Sequence, residues 1–287
     1  MKNSFVCNNT ESFAVVGRIS YLNVAPVYHS LDNGLKPGWL KMITAPPSVL
    51  NSMLERDLLD ISPVSSSAYA RNQERWLLLP DLSIACYGKV MSVILASNYP
   101  FNKLNNKKVV LTDESETAAE LLKLIFSLKK IKPVFQSRAI KNPGDIQNGT
   151  AALIIGDSAL YGKWSSAYKY IWDLGDVWHQ MTGLPFIFAI WAVRKSFAEK
   201  RPEVVASIIN LFRISKNKGI CNLEQVANKA SAKLGLSVDI CRKYYKNLFY
   251  DLDPLKIKGL EAFFKGLYKA KLIPKKVRLS FFDLITK

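Results

Sequence analysis

Residues 182–193, TGLPFIFAIWAV, combine a turn-forming cluster, Thr182-Gly183-Leu184-Pro185, with the apolar run 186–193. We interpret residues 184–193 as a strand that returns the chain to a first unit, which the chain leaves near Ser97. An excursion followed by a return implies two lobes joined by two crossings. Ligands commonly bind between such lobes, and hinge closure around them is a known motion.

Five further clusters of small, polar or turn-forming residues lie against apolar runs that we interpret as strands. In open α/β sheets the ligand lies beyond the carboxyl ends of the strands, where such loops meet helix N-termini. Side chains that form hydrogen bonds without carrying charge suit a small, oxygen-rich ligand better than a metal ion. The pattern therefore predicts a ligand-binding cleft. The clusters are Tyr21-Leu22-Asn23, Val64-Ser65-Ser66-Ser67, Val90-Met91-Ser92, Asp113-Glu114-Ser115-Glu116-Thr117 and Ile154-Ile155-Gly156-Asp157.

The order of predicted elements indicates an α/β fold. Strands alternate with helices up to Arg194, which implies a largely parallel sheet, and the pattern then becomes helical. The predictions include a strand over 89–97 and a short helix over 142–149. We expect a large discontinuous lobe, residues 1–97 and 188–287 with the C-terminal helices, and a small α/β lobe, residues 98–187.

The amino-acid composition limits the classes of protein to which this chain could belong. The 287 residues are 49% apolar, which is enough for a packed core. The net charge is +17, and most of the excess follows residue 193, where 21 Lys and Arg face 8 Asp and Glu. These lysines alternate with aromatic and leucine residues at helical spacing, so we interpret them as solvated helix faces. The competing interpretation is that this basic region binds nucleic acid or an anionic membrane. That interpretation predicts binding that weakens as the salt concentration rises.

The cysteines and histidines give no pattern typical of a metal site. Cys7, Cys86, Cys221 and Cys241 form no C-x-x-C pair, so a reduced set is expected. His29 and His179 have no acidic or cysteine companion at metal-ligand spacing. The first residues lack the apolar core of a signal peptide, and no stretch is long enough to span a bilayer. We therefore expect a cytoplasmic protein with no metal, and the sequence carries no signal for an oligomeric state.

Several longer strings resemble the chorismate dehydratases of the futalosine route to menaquinone. The likeness covers nearly the whole chain from about Gly17, and the elements YLN, VMS and TGLPF-x-x-A-x-W form a specific combination. It implies a two-lobed fold like that of type II periplasmic binding proteins, and dehydration of chorismate to 3-[(1-carboxyvinyl)oxy]benzoate without a cofactor. The strings are RISYLNVAPVYHSL (18–31), PVSSSAYA (63–70), LPDLSIACYGKVMSVIL (79–95), DLGDVWHQMTGLPFIFAIWAVR (173–194) and NLFYDLDPLKIKGLEAFFKGL (247–267).

The resemblance also implies site residues. Asn23 in YLN and Ser92 in VMS match the catalytic positions, where an amide and a hydroxyl would orient the substrate and stabilise developing charge. The anion cradle S-x-T-S appears here as Ser115-Glu116-Thr117-Ala118, without the last hydroxyl. Helix-start N–H groups can still hold an anion there. We expect the remaining substrate-binding residues to include Tyr21, Ser65, Ser66, Met91, Asp157, Thr182 and Gly183, with Tyr21, Ser66, Met91 and Thr117 converging on one hollow.

Alternatives stay open at this point. Asn23, Thr182 and Gly183 are also ordinary turn residues, and Ser115 is an ordinary helix cap. The related 1,4-dihydroxy-6-naphthoate synthases carry a catalytic histidine where this chain has Gly156, which argues against that activity. A non-catalytic solute-binding protein for a small anion would have the same two lobes and the same cleft, and would leave chorismate unchanged.

Overall fold

The strands of the protein form two sheets. The structure, a computed structural model, describes residues 14–146 and 151–283. Within them we call the six-stranded sheet the large sheet and the five-stranded one the small sheet, and each sheet names its lobe. The large sheet contains β1 (Ala14–Ile19), β2 (Leu40–Ala45), β3 (Ile61–Ser65), β4 (Trp76–Cys86), β10 (Phe186–Arg194) and β11 (Leu248–Phe249). The small sheet contains β5 (Val93–Ser97), β6 (Lys108–Leu111), β7 (Val134–Ser137), β8 (Ala151–Ile155) and β9 (Tyr170–Asp173).

Both sheets are mixed, so the prediction of a largely parallel sheet is wrong. In the large sheet β1 is parallel to β2 and β3, whereas β10 is antiparallel to both β3 and β4. In the small sheet β6 is parallel to β7 and β8, whereas β5 is antiparallel to β8 and β9. β5 and β10 each follow a crossing between the lobes. They therefore run away from the cleft, while the strands β1, β3 and β8 run toward it.

The described helices cover the faces of both sheets. The predicted helix over 142–149 is a single turn of 3-10 helix at Pro143–Asp145, and residues 147–149 lie outside the described part. Two more 3-10 turns are Leu22–Val24 and Phe101–Lys103, and Leu31–Leu35 form a π turn. The α-helices are α1 (Ala25–Ser30), α2 (Pro47–Glu55), α3 (Ser66–Asn72), α4 (Glu116–Leu128), α5 (Gly156–Tyr161), α6 (Trp164–Ala167), α7 (Leu174–Thr182), α8 (Lys195–Lys200), α9 (Pro202–Cys221), α10 (Leu223–Leu234), α11 (Val238–Lys246) and α12 (Pro254–Lys269).

The chain changes sheet between β4 and β5 and again between β9 and β10. The lobe boundaries at residues 97 and 188 stay a prediction. The predicted strand over 89–97 begins only at Val93, because Gly88 and Met91 have left-handed φ angles of 86° and 64°. We call residues 87–92, between β4 and β5, the first crossing. Helix α7 packs closely on it: a Cβ atom on Gly175 would lie 2.5 Å from both Cys86 Sγ and the Gly88 carbonyl oxygen.

The aromatic core lies mainly in the large lobe. Trp191 and Trp178 are both buried, as the sequence predicts, and Trp178 packs edge-on against Phe186 and Phe263. Among the described helices none is long and apolar enough to cross a membrane. Cys86, Cys221 and Cys241 are free thiols, and Cys7 lies outside the described residues.

Candidate functional site

A cavity of about 50 Å³ lies between the two sheets, at the carboxyl ends of β1, β3 and β8. Five of the predicted site residues line it: Tyr21, Asn23, Ser65, Ser92 and Ser115. A larger open depression of about 760 Å³ lies on the small lobe and contains none of the predicted residues. The other residues of the cavity wall are Ile19, Pro47, Ile84, Val90, Val93, Ile155, Gly156, Phe188 and Ala189.

Asn23 presents an unsatisfied oxygen at this site. Its Oδ1 atom is buried and has no hydrogen-bond partner within the described residues. Asn23 lies on the 3-10 turn that follows β1. The neighbouring Leu22 fixes this turn twice, because its N–H donates to Asp157 Oδ1 at 3.2 Å and its carbonyl oxygen accepts from the Tyr245 hydroxyl at 3.1 Å. A buried acceptor without a donor is costly, so this oxygen suits a ligand that brings one.

Ser92 is the last residue of the first crossing, directly before β5, and it lines the cavity wall. Its side chain is buried, and its carbonyl oxygen accepts from the Gly156 N–H at 2.8 Å. The hydroxyl of Tyr244, on α11, lies next to the Ser92 side chain. Burial raises the pKa of Tyr244, and the Ser92 side chain offsets part of that rise. Tyr244 is therefore protonated, its buried hydroxyl has no hydrogen-bond partner within the described residues, and no motif in the sequence indicated it.

Tyr21 spans the cleft from the large lobe to the small lobe. Its hydroxyl donates to the Glu114 carboxylate, and burial, followed by this hydrogen bond, raises the pKa of Tyr21 far above its ordinary value. The ring lies against Gly156, whose φ is +65° and whose added Cβ atom would come within 3.1 Å of two ring atoms. A side chain at position 156 would therefore require the Tyr21 ring to shift by a few tenths of an ångström.

Ser65 and Ser115 cap the helices that begin at the cavity wall. The Ser65 hydroxyl accepts from the Ala68 N–H at 3.1 Å at the start of α3, and the Ser115 hydroxyl accepts from the Ala118 N–H at 3.3 Å at the start of α4. A helix N-terminus carries a partial positive charge that favours anions. The two caps thus bring both helix starts to the same cavity, one from each lobe.

Three predicted residues form bonds elsewhere. The Ser66 hydroxyl donates to the Ile187 carbonyl oxygen at 2.7 Å. Thr117 Oγ1 accepts from the Ser67 N–H at 2.9 Å, and Glu116 forms an ion pair with Arg71. The last two bonds join α4 of the small lobe to α3 of the large lobe. They hold the lobes together beside the cavity.

Asp157, Met91, Thr182 and Gly183 also lie outside the cavity wall. Asp157 supports the turn that carries Asn23, as described above. Met91 lines a shallow depression on the small lobe. Thr182 donates to the Trp178 carbonyl oxygen at 2.8 Å, and Gly183, with φ of +68°, ends α7. The expected convergence on one hollow therefore holds for Tyr21 and fails for Ser66, Met91 and Thr117.

The wall of the cavity is neutral. Among the residues that the structure describes, it contains no Asp, Glu, His, Lys or Arg, and its titratable side chain is that of Tyr21. The predicted site residues did not include the apolar part of the wall, although Val90 and Ile155 lie in clusters that the sequence analysis identified. Ile19 and Ile155 could have been found as the last residues of strands that end at the cleft, but Phe188 and Ala189 lie inside β10 and carry no such signal. Among the described residues, no cluster of His, Cys, Asp and Glu could hold a metal ion.

Comparison with known proteins places the chain in a family. A sequence profile described as "Menaquinone biosynthesis" matches residues 14–269. The chain belongs to this family. It is 30% identical over 276 residues to a chorismate dehydratase of Thermus thermophilus, covering 88% of this chain and 94% of the relative. It is 31% identical over 180 residues to a chorismate dehydratase of Campylobacter jejuni, covering 61% and 65%. The periplasmic aliphatic sulphonate-binding protein SsuA of Escherichia coli shares the fold, with a TM-score of 0.65 and 14% identity over 93% of this chain and 90% of that one.

Proposed function

We propose that this protein is a cytoplasmic hydro-lyase that dehydrates chorismate to 3-[(1-carboxyvinyl)oxy]benzoate without a cofactor. Family membership and two relatives named chorismate dehydratase support this function. The observation that carries it is the partnerless Asn23 Oδ1 at a cavity with no charged side chain in its wall. Such a wall offers hydrogen bonds and helix N-termini, which suit a substrate with two carboxylates and a hydroxyl.

The reaction removes a proton from the ring carbon that bears the enolpyruvyl ether, and the neighbouring hydroxyl leaves with that proton as water. The product ring is aromatic, so the protein supplies mainly positioning and charge stabilisation. Because the wall contains no carboxylate or imidazole, a carboxylate of the substrate itself removes the proton. Asn23 Oδ1 accepts a hydrogen bond from the substrate hydroxyl, which keeps its proton and leaves as water, and Nδ2 donates to developing negative charge. Ser92 donates to the departing hydroxyl or to a carboxylate.

The size of the cavity requires the lobes to move during turnover. About 50 Å³ accommodates roughly three to five water molecules, whereas pockets that enclose small organic ligands measure about 300–1,000 Å³. Chorismate therefore enters an opened cleft. The lobes then close around chorismate with a cavity wider than 50 Å³, and closure removes water from the site.

Two substitutions test the roles of the catalytic residues. Asn23→Ala and Ser92→Ala should each lower kcat by about 10²-fold or more, the usual effect of losing one group that stabilises developing charge. Chorismate consumption is followed by its ultraviolet spectrum. Asn102→Ala, at an exposed amide outside the cavity wall, serves as the matched control. Wild-type turnover by both cavity variants would show that the assignments are wrong, and chorismate bound but unchanged by the unsubstituted protein would indicate a binding protein.

A further inference from the structure

One carboxylate, that of Asp173 at the end of β9, holds the segment that leads into Ser92. Asp173 Oδ1 accepts from the Val90 N–H at 3.1 Å, and Oδ2 accepts from the Met91 N–H at 2.6 Å. The same Oδ1 accepts from the first N–H groups of α7, those of Gly175 and Asp176, at 3.0 and 3.2 Å. Asp173 therefore couples the start of α7 to the first crossing.

The segment held in this way has an unusual backbone conformation. Met91 has a φ of 64°, in the left-handed region that residues with a Cβ atom adopt only where their surroundings impose it. Ser92 follows directly, so the direction in which its hydroxyl points depends on the Met91 turn. The surroundings that impose the turn include the 2.6 Å bond from Met91 N–H to Asp173.

Helix α7 provides a fixed base for this bond. Gly175 approaches Cys86 and Gly88 so closely that no side chain would fit between them. The Tyr87 ring lies 4.2 Å from the His179 ring, measured between centroids. The first crossing thus packs against α7 over most of its length. Along the chain, the hydrogen bonds from Val90 and Met91 to Asp173 are the last of these contacts before Ser92.

We propose that Asp173 is the positioning residue of Ser92. Its carboxylate stabilises the left-handed conformation of Met91 and thereby sets the Ser92 hydroxyl in the cavity wall. Asp173 does not line the cavity, so it acts through the backbone of residues 90 and 91 and touches no substrate. This inference rests on the proposed role of Ser92 in dehydration.

Asp173→Asn is a selective test. The amide oxygen of the variant keeps an acceptor for Val90, Gly175 and Asp176, so α7 remains capped. Its NH2 group faces the Met91 N–H, and two donors cannot bond to each other. We expect kcat for chorismate to fall by about 10²-fold, because a misplaced group costs this much. KM should change little, because Asp173 touches no substrate. The thermal unfolding midpoint should fall, because the Met91 N–H loses its acceptor.

A second substitution shows whether the backbone conformation is the cause. Glycine adopts a φ of +64° without the Cβ penalty, so the loss caused by Asp173→Asn should be at least about 10-fold smaller in a Met91→Gly background. Asp176→Asn, which changes a neighbouring carboxylate on α7 that bonds only to Gln180, is the matched control.

The possible outcomes separate the role of Asp173 from the role of Ser92. An equal loss from Asp173→Asn in both backgrounds would overturn the proposal, because Asp173 would then affect kcat by a route other than the backbone conformation of Met91. Full kcat in Asp173→Asn together with an impaired Ser92→Ala would also overturn it and leave the proposed function intact. Full kcat in Ser92→Ala would instead remove the role of Ser92 on which the proposal rests.

Discussion

Two features of the structure, the backbone conformation and the nearby Tyr21 ring, favour glycine at position 156. The backbone is left-handed, with a φ of +65°, and the Tyr21 ring occupies the space that a Cβ atom would need. Tyr21 in turn reaches Glu114 in the other lobe. A glycine at this position therefore permits a contact between the lobes at the edge of the cavity.

Gly156→Ala should therefore affect both stability and activity. The left-handed backbone alone costs alanine about 1–2 kcal/mol of unfolding free energy, and displacement of Tyr21 should lower kcat/KM in addition. Gly235→Ala is the matched control, because Gly235 has a φ of +66° and open space around it. Both variants should lose similar stability in urea unfolding, and only Gly156→Ala should lose activity. Equal activity in the two variants would contradict the Tyr21 contact.

Asp157 makes the stability of the protein depend on pH. Burial raises the pKa of its carboxyl, although the Leu22 N–H acts in the opposite direction. A raised pKa means that the folded state holds the proton more tightly. The stabilisation is complete below the ordinary value of 3.8 and is lost as pH rises through the folded-state value. Asp157→Asn should therefore reduce the decline in unfolding free energy as pH rises from 4 toward 7, measured by urea unfolding.

Asp253 provides a control of opposite sign. A hydrogen bond from Lys256 lowers the pKa of the Asp253 carboxyl, so its stabilisation is present at neutral pH and is lost on acidification through the lowered value. Asp253→Asn should weaken the loss of stability in acid. Identical pH slopes for Asp157→Asn and the unsubstituted protein would show that Asp157 is not protonated preferentially in the fold.

The residues at the cavity were partly predictable from sequence. Asn23, Ser65 and Ser115 follow or end strands whose carboxyl ends meet at the cleft, whereas Ser92 directly precedes β5. The family resemblance singled out Asn23 and Ser92. A position at the end of a strand could not separate Ser65 from Ser66, because adjacent residues point in different directions. Tyr244 lies on a C-terminal helix far away in sequence, so only the fold brings it to Ser92.

At the scale of elements, α3 and α4 meet across the cleft at their N-termini. Thr117 Oγ1 is the acceptor for the buried Ser67 N–H, which joins the two helices. Thr117→Val keeps the shape and removes the acceptor, so we expect the unfolding free energy in urea to fall by about 1–3 kcal/mol. Thr117→Ser keeps the hydroxyl and should lose less. Equal losses would mean that the methyl group, and not the hydrogen bond, stabilises this contact.

The sequence predicted most elements but missed α7. Its N-cap, Asp173, accepts two N–H bonds at its start, and its C-terminal Gly183 is left-handed. These two signals could have revealed the helix. Gly175 and the β-branched and aromatic residues inside it weaken the helical pattern. The mixed sheets were not predictable in the same way, because the direction of β5 and β10 depends on how the chain crosses between the lobes.

At the scale of the whole molecule, the two lobes are joined by bonds around a cavity of about 50 Å³. Tyr21 with Glu114, Leu22 with Asp157, Ser67 with Thr117 and Arg71 with Glu116 all bridge the cleft. These bonds describe a closed state. Opening must break them, and a bound ligand must favour their return.

Hydrogen exchange at the Ser67 N–H measures this opening. With product at about 100 times its Kd, binding to the closed state should slow this exchange by about 100-fold. The Ser83 N–H, which donates to the Tyr250 carbonyl oxygen within the large lobe, is the control and should change less. Equal slowing at both positions would indicate general stabilisation of the fold without closure of the cleft.

Mass spectrometry of chorismate after incubation with the purified protein tests the central claim most directly. We expect a product lighter than chorismate by one water that retains the enolpyruvyl group, formed by the unsubstituted protein and much more slowly by Asn23→Ala. Chorismate of unchanged mass, or release of pyruvate, would contradict the proposed dehydration.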